Sequence, residues 1–263
     1  MSEDQDRGSG ARTVALLKVI AASDGRFTLG QLSAEAGLAP SSAHRLLQPL
    51  LRGGLVERAG GQSYQTGGEL LRIASLISRQ VNAGSLARPI LHRLWTQWEE
   101  TSSLCVYKPA EHIAVVMETI QTPHPLRFAI ESFAELSLTW GSLGRAILAA
   151  LPAADAAAAM RIPGLSPLTG LAPPSPEDMA EVIAEVRANG FAHYRNEAVD
   201  AAGIASPVYR ADGSVLGSLG LTAPARRMPL EIVPAMADSV KAAADELSAA
   251  LGYSSPEDPS VRE

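Results

Sequence analysis

The sequence is poor in the residues from which many active centres are built. It holds one cysteine, Cys105, among 263 residues. A single thiol cannot form an intramolecular disulfide, supply a cysteine-based zinc site, or run a redox cycle that needs a second, resolving thiol. The five histidines, His44, His92, His112, His124 and His193, are scattered. No HExxH spacing, paired-carboxylate motif, GxSxG or glycine-rich phosphate loop is present. An enzyme is therefore not expected, nor any metal or organic cofactor. Long apolar runs are also missing; none reaches the roughly 18 residues of a membrane-spanning helix. The opening MSEDQDRGSG is polar and acidic, whereas a secretory leader needs a basic start and an apolar stretch. These absences point to a cytoplasmic protein without membrane contact.

What is there suffices for a buried core. Hydrophobic residues make up 46% and charged residues 19%. At roughly 150 residues per domain, the length suggests one or two domains. The net charge of −6 is unevenly spread: residues 12–83 hold eight Lys/Arg against four Asp/Glu, residues 84–263 thirteen against twenty-one. A basic leading segment on an acidic body suits a nucleic-acid module attached to something else.

Periodicity divides the chain further. Residues 1–11 read as a disordered tail. A helix from Arg12 carries Val14, Leu17, Ile20 and Ala21 on one stripe, and Asp24-Gly25 ends it. Thr28 caps a second helix through its hydroxyl. Gly37 stops that helix, and Pro40 opens a third, a favoured first position because the missing N–H has no partner there anyway. Ala43, Leu46, Leu47 and Leu50 form its buried stripe, and Gly53-Gly54 closes it. Leu55–Arg58 and Gln62–Gln65 read as a β-hairpin. Residues 12–67 thus form a winged helix-turn-helix. Residues 68–84 are a linker helix whose stripe of Leu70, Ile73, Ala74 and Ile77 needs a partner surface. From Ser85 to 252, helices at 87–100, 141–151, 153–160, 177–189 and 230–251 mix with strands near 104–108, 113–119, 191–194, 204–209 and 215–222. The order suggests an α+β domain, and residues 253–263 a polar tail.

Two amphipathic helices joined by so short a turn cross steeply, and the second can enter the major groove. Its outward face carries Ser41, Ser42, His44, Arg45 and Gln48. Arg45 suits guanine and Gln48 suits adenine, and the helix N-terminus can hold a phosphate. Arg58, Gln62 and Tyr64 on the wing can reach the backbone or minor groove. Pro49 inside this helix removes the bond to the Arg45 carbonyl, at a cost of roughly 3 kcal/mol. The competing reading is a protein-interaction adaptor without specific DNA binding.

The run TLGQLSAEAGLAPSSAHRLLQPLLRGGLVERAGGQSYQTG resembles the N-terminal domain of the IclR (isocitrate lyase regulator) family of bacterial transcription factors. ARPILHRL, GSLGRAILAALP, GIASPVYRADGSVLGSLGLTAP and the closing helix follow in that family's order, so the resemblance spans about Arg12 to Leu251. The family commonly has Lys and Thr where this chain has Pro40 and Ser42. The resemblance implies a GAF-like effector-binding domain, a homodimer or homotetramer, and a repressor whose grip on double-stranded operator DNA responds to a small organic acid. It also implies an effector against the start of the helix at Gly141. There the N–H groups of Ser142, Leu143 and Gly144 at the positive end of the dipole favour a carboxylate. Motif alignment puts Gly203 and Thr222 on facing strands beside it. Trp140, Met117, Phe128 and Tyr194 are expected walls, with His193 and Arg127 as candidate polar contacts. The apolar bulk leans toward an aromatic or branched acid.

Overall fold

A computed structural model describes residues 8–254, apart from 24, 81–82, 126, 128–129, 163 and 167–168, with the side chains of 77–80 also outside the description. The chain divides into two compact units, residues 1–82 and 83–263.

In the first unit, α1 (Ser9–Ala22), α2 (Leu29–Glu35) and α3 (Pro40–Arg52) pack around Leu16, Ile20, Leu32, Leu47 and Leu50. The first helix starts inside the expected tail, because Ser9 joins its opening turn by accepting from the Thr13 hydroxyl at 2.8 Å. Its buried pair is Leu16 and Ile20, one turn apart, while the expected Val14 is exposed. The stripe is rotated by about half a turn at that end. Thr28 and Gln31 cap α2 reciprocally: the Thr28 Oγ1 accepts from the Gln31 N–H at 3.3 Å, and the Gln31 Oε1 accepts from the Thr28 N–H at 2.9 Å. Such a pairing satisfies two helix-end donors that have no partner within the helix.

The wing has three strands where two were expected. β1 (Arg26–Thr28), β2 (Val56–Gly60) and β3 (Ser63–Thr66) form an antiparallel sheet in the order β1-β3-β2. A bulge at Ala59 precedes the turn through Gly61 and Gln62. α4 (Gly68–Gln80) follows directly. Leu70 turns back onto the core of this unit, and the exposed apolar side chains are Leu71 and Leu76, at 60% and 42%. The expected stripe through Leu70 and Ile73 therefore belongs partly to the unit's own core, and the Ile77 side chain lies outside the described residues.

The second unit is built on one antiparallel six-stranded sheet. Its strands are β4 (Thr101–Lys108), β5 (Ile113–Ile120), β6 (Glu135–Ser137), β7 (Ala192–Asn196), β8 (Ala201–Tyr209) and β9 (Val215–Pro224), in the order β6-β5-β4-β9-β8-β7. Helices cover both faces. α5 (Ala83–Trp98) and α9 (Val233–Ala250) bury one face through Leu91, Leu104, Ile204, Leu219 and Val240. α6 (Gly141–Ala150), α7 (Ala153–Met160) and α8 (Pro176–Asn189) bury the other through Cys105, Val116, Leu138, Ile147 and Met179. Alternation along β8 and β9 explains the division: neighbouring residues on a strand point to opposite faces. Among the described residues, no helix is long and apolar enough to cross a membrane.

Candidate functional site

Two surfaces answer to the expected sites, one in each unit. On α3, Ala43, Leu46, Leu47 and Leu50 are buried; Ser41, His44 and Arg45 are exposed; Ser42 and Gln48 are half-buried. The helix stays continuous through Pro49, which is exposed, so its ring meets solvent instead of a packed neighbour. Gln48 Nε2 lies 3.2 Å from His44 Nε2, one turn back, so the two side chains act as one polar unit. No side chain caps the start of α3, but Pro40 carries no N–H and the Ser42 N–H donates to the Ala39 carbonyl at 2.9 Å, so the Ser41 amide is the one left to face a phosphate there. Arg58 and Gln62 are exposed on the wing, and Thr28 is exposed but engaged with Gln31.

Tyr64 departs from expectation. It is 9% exposed and stacks on Phe27, its register partner on β1, with ring centroids 6.3 Å apart. The ring is part of the hydrophobic core and not a reaching wing residue.

The second surface is a cavity of about 540 Å³ beside the start of α6. Trp140, Ser142, Leu143, Tyr194, Gly203 and Thr222 all line it. Their convergence follows from register: Tyr194 pairs with Gly203, Gly203 with Thr222, and Thr222 with Thr101, one row across four strands. α6 is held onto this row by the Ser218 hydroxyl, which donates to the Leu143 carbonyl at 2.8 Å. Gly203 makes the approach possible, because a Cβ there would lie 2.5 Å from the Ser142 Oγ. Trp140 occupies the cap position without capping α6 by its side chain; its indole N–H donates instead to the Gly164 carbonyl at 3.1 Å. The amides of Gly141, Ser142 and Leu143 thus stay open at the positive end of the helix. Ser142 is 3% exposed, and its hydroxyl has no hydrogen-bond partner among the described residues.

Two expected members fall outside. Gly144 is one residue too far into α6: its amide belongs to the first helical bond, to the cap residue's carbonyl. Its lack of a side chain serves packing, since a Cβ would stand 2.2 Å from the Ser137 carbonyl oxygen. Met117 packs against the α5/α9 face. It is the extra residue of a β-bulge, with Val116 paired to Cys105 and Glu118 to Leu104, and the bulge reverses which face later residues meet.

His193 alternates away from Tyr194 on β7, and its Nε2 is buried without a partner among the described residues. Burial first, then the Arg195 charge, holds its imidazole below the usual value, against a smaller opposing pull from Glu185. Arg127 is exposed and donates to the His124 carbonyl, and Phe128 lies outside the described residues.

Other lining residues had no motif to announce them: Ile130, Glu131, Ala134 and Glu135 before α6, and Leu165 and Ser166 after α7. Arg145 is the fifth residue of α6. Its guanidinium lies 5.1 Å from the Tyr194 ring centroid, and its Nε donates to the Thr139 carbonyl at 3.1 Å. Burial pulls its pKa below the ordinary arginine value, partly offset by the Tyr194 hydroxyl.

Family comparison identifies the chain to which the two surfaces belong. The bacterial transcriptional regulator IclR C-terminal domain matches residues 76–249, and the IclR helix-turn-helix domain matches residues 9–60. The chain belongs to the IclR family. This IclR-family regulator is 26% identical over 243 residues to the acetate operon repressor of Salmonella typhimurium, covering 92% of this chain and 89% of that one. It is 27% identical over 239 residues to the HTH-type transcriptional regulator BhcR of Paracoccus denitrificans, covering 90% and 85%. Its fold is similar to the crystal structure of Pseudomonas aeruginosa HmgR, with a TM-score of 0.66, 24% identity, and coverage of 93% and 98%. It is also similar to an IclR homologue of Microbacterium hydrocarbonoxydans solved in complex with 4-hydroxybenzoate, with a TM-score of 0.55, 20% identity, and coverage of 93% and 99%. The protein is a DNA-binding transcriptional regulator of the helix-turn-helix class.

Proposed function

We propose that this regulator is a cytoplasmic repressor. It binds double-stranded operator DNA as a homodimer or homotetramer and changes its grip when an organic acid enters the cavity beside α6. Ser41, Ser42, His44, Arg45 and Gln48 read the major groove, with Arg58 and Gln62 at the flanking backbone. Paired modules are the usual way for so small a reading head to bind tightly and specifically. The observation that carries the ligand site is the uncapped start of α6. It opens onto an apolar cavity beside the hydroxyl of a buried serine, Ser142, which has no partner among the described residues. The carboxylate meets the amides of Gly141, Ser142 and Leu143, and Thr222 and Tyr194 orient the body. A relative crystallised with 4-hydroxybenzoate supports an acid of that general kind.

Calorimetry with a panel of aromatic carboxylates tests the site. Ser142→Asp sets a fixed negative charge where the ligand's own would go and should abolish binding. Thr222→Val should weaken binding by about 0.5–1.5 kcal/mol. Leu143 is a poorer choice for substitution, because its side chain belongs to the core. Unchanged affinity in Ser142→Asp sinks the site. In the responding parent, ligand should shift operator affinity roughly 5- to 150-fold, the range of an ordinary coupling free energy.

A further inference from the structure

The cavity is lined by groups of opposite electrical character. The open amides of α6 and the Ser142 hydroxyl favour negative charge, and the Arg145 guanidinium lies 5.1 Å from the Tyr194 ring centroid. Glu131 and Glu135, both exposed, also line the wall. Glu135 is on β6, an edge strand of the six-stranded sheet, and Glu131 precedes it. The segment bearing the carboxylates is fastened to β5: the Val116 N–H donates to the Ala134 carbonyl at 3.0 Å, and the Phe133 N–H donates to the Val116 carbonyl at 2.8 Å. Neither carboxylate forms an ion pair among the described residues, and no Lys or Arg is in the described lining. Trp140, Leu136 and Ile130 are apolar parts of the same wall.

We infer that the ligand is zwitterionic: an amino carboxylate with an apolar body, its carboxylate at the start of α6 and its ammonium facing Glu131 and Glu135. This rests on the reading of the cavity as the effector site and narrows its ligand class. A dicarboxylate would set its second negative charge against two others. A purely apolar tail would leave both glutamates without a countercharge near the ligand.

Three para-substituted benzoates of similar size test this: 4-(aminomethyl)benzoate, 4-ethylbenzoate and 4-(carboxymethyl)benzoate. Titration calorimetry on the full chain should rank the ammonium probe tightest. Two exposed carboxylates should favour it over the neutral probe by about three- to fivefold. The dicarboxylate should bind weakest. Raising the salt should narrow the spread, and the double variant Glu131→Gln/Glu135→Gln should remove it. Equal binding of all three, tighter binding of the neutral or dianionic probe, or no binding by any of them at millimolar concentration overturns the zwitterion assignment. Ser142→Asp separates the two ideas. If it blocks every probe that binds but the ammonium is not preferred, only the ligand class fails. If it leaves all affinities unchanged, the site itself fails.

Discussion

Adding one methyl group at Gly203 probes the approach of α6 to the sheet. An alanine Cβ would stand 2.5 Å from the Ser142 Oγ, 3.1 Å from the Leu221 carbonyl oxygen and 3.5 Å from the Ser142 Cβ. The last contact is ordinary. The first two are not: the serine hydroxyl must leave its rotamer, and the β8–β9 pairing must yield by a few tenths of an ångström. Off-rotamer and overpacking costs together put Gly203→Ala at about 1–2 kcal/mol of destabilisation. For a unit of this size that lowers the melting temperature by about 2–8 °C. Ser142→Ala alone removes a hydroxyl that bonds to nothing among the described residues, so its cost should be under about 0.5 kcal/mol. In the double variant the 2.5 Å contact is gone, and at least about 0.5 kcal/mol of the Gly203→Ala loss should return. Tryptophan fluorescence is a suitable probe, because Trp95, Trp98 and Trp140 all belong to the second unit and none to the first. Strict additivity in this cycle, or a Gly203→Ala chain as stable as the parent, refutes the proposed contact.

Three further outcomes follow from other parts of the molecule. Arg45→Ala should weaken operator binding in filter or anisotropy assays, by about 1–3 kcal/mol if the contact is to a base edge, whereas Tyr64→Phe should leave operator affinity alone and Tyr64→Ala should cost about 3–5 kcal/mol of stability; operator loss in Tyr64→Phe would return that residue to the DNA face. Leu71→Glu with Leu76→Glu should shift sedimentation toward smaller species if α4 is a pairing surface, and an unchanged distribution would remove α4 from the assembly. His193 has its folded pKa below the unfolded value near 6.5, so its stabilising contribution is complete above that pH and is lost as the pH falls through the folded value; thermal melts between pH 5 and 8 should steepen on the acid side in the parent and flatten in His193→Phe, and identical profiles would count against it.

The legible parts of the sequence were those governed by a single local period. The buried stripe of α3 needed only a helical repeat and is found in the structure; the pairing of Gly203 with Thr222 came from motif alignment with the family and is found as well. Tyr64 was misread because its environment is non-local. β1 is three residues long and follows a stretch that reads as a turn, yet it brings Phe27 onto the Tyr64 ring. Met117 failed for a related reason: a bulge inserts one residue into a strand without a residue-type signature, and the facing of all that follows changes parity. The acidic wall at Glu131 and Glu135 was invisible because it depends on a short edge strand, β6, pairing back onto β5. The helix N-terminus was found through family resemblance and a dipole argument, but its donors begin at Gly141, one residue earlier than expected.

The lone cysteine has a practical consequence. Cys105 is fully buried in a central strand, and burial pushes its thiol up to about 12, so almost none is thiolate near neutral pH. Maleimide and disulfide reagents should pass the native protein by. A cysteine introduced at an exposed position away from α4, such as Leu230, would then be the sole reactive group on the folded chain. Spin labels, fluorophores or cross-linkers could be attached there without first removing the natural residue, and distances between copies in the proposed homodimer could be followed as ligand and DNA are added.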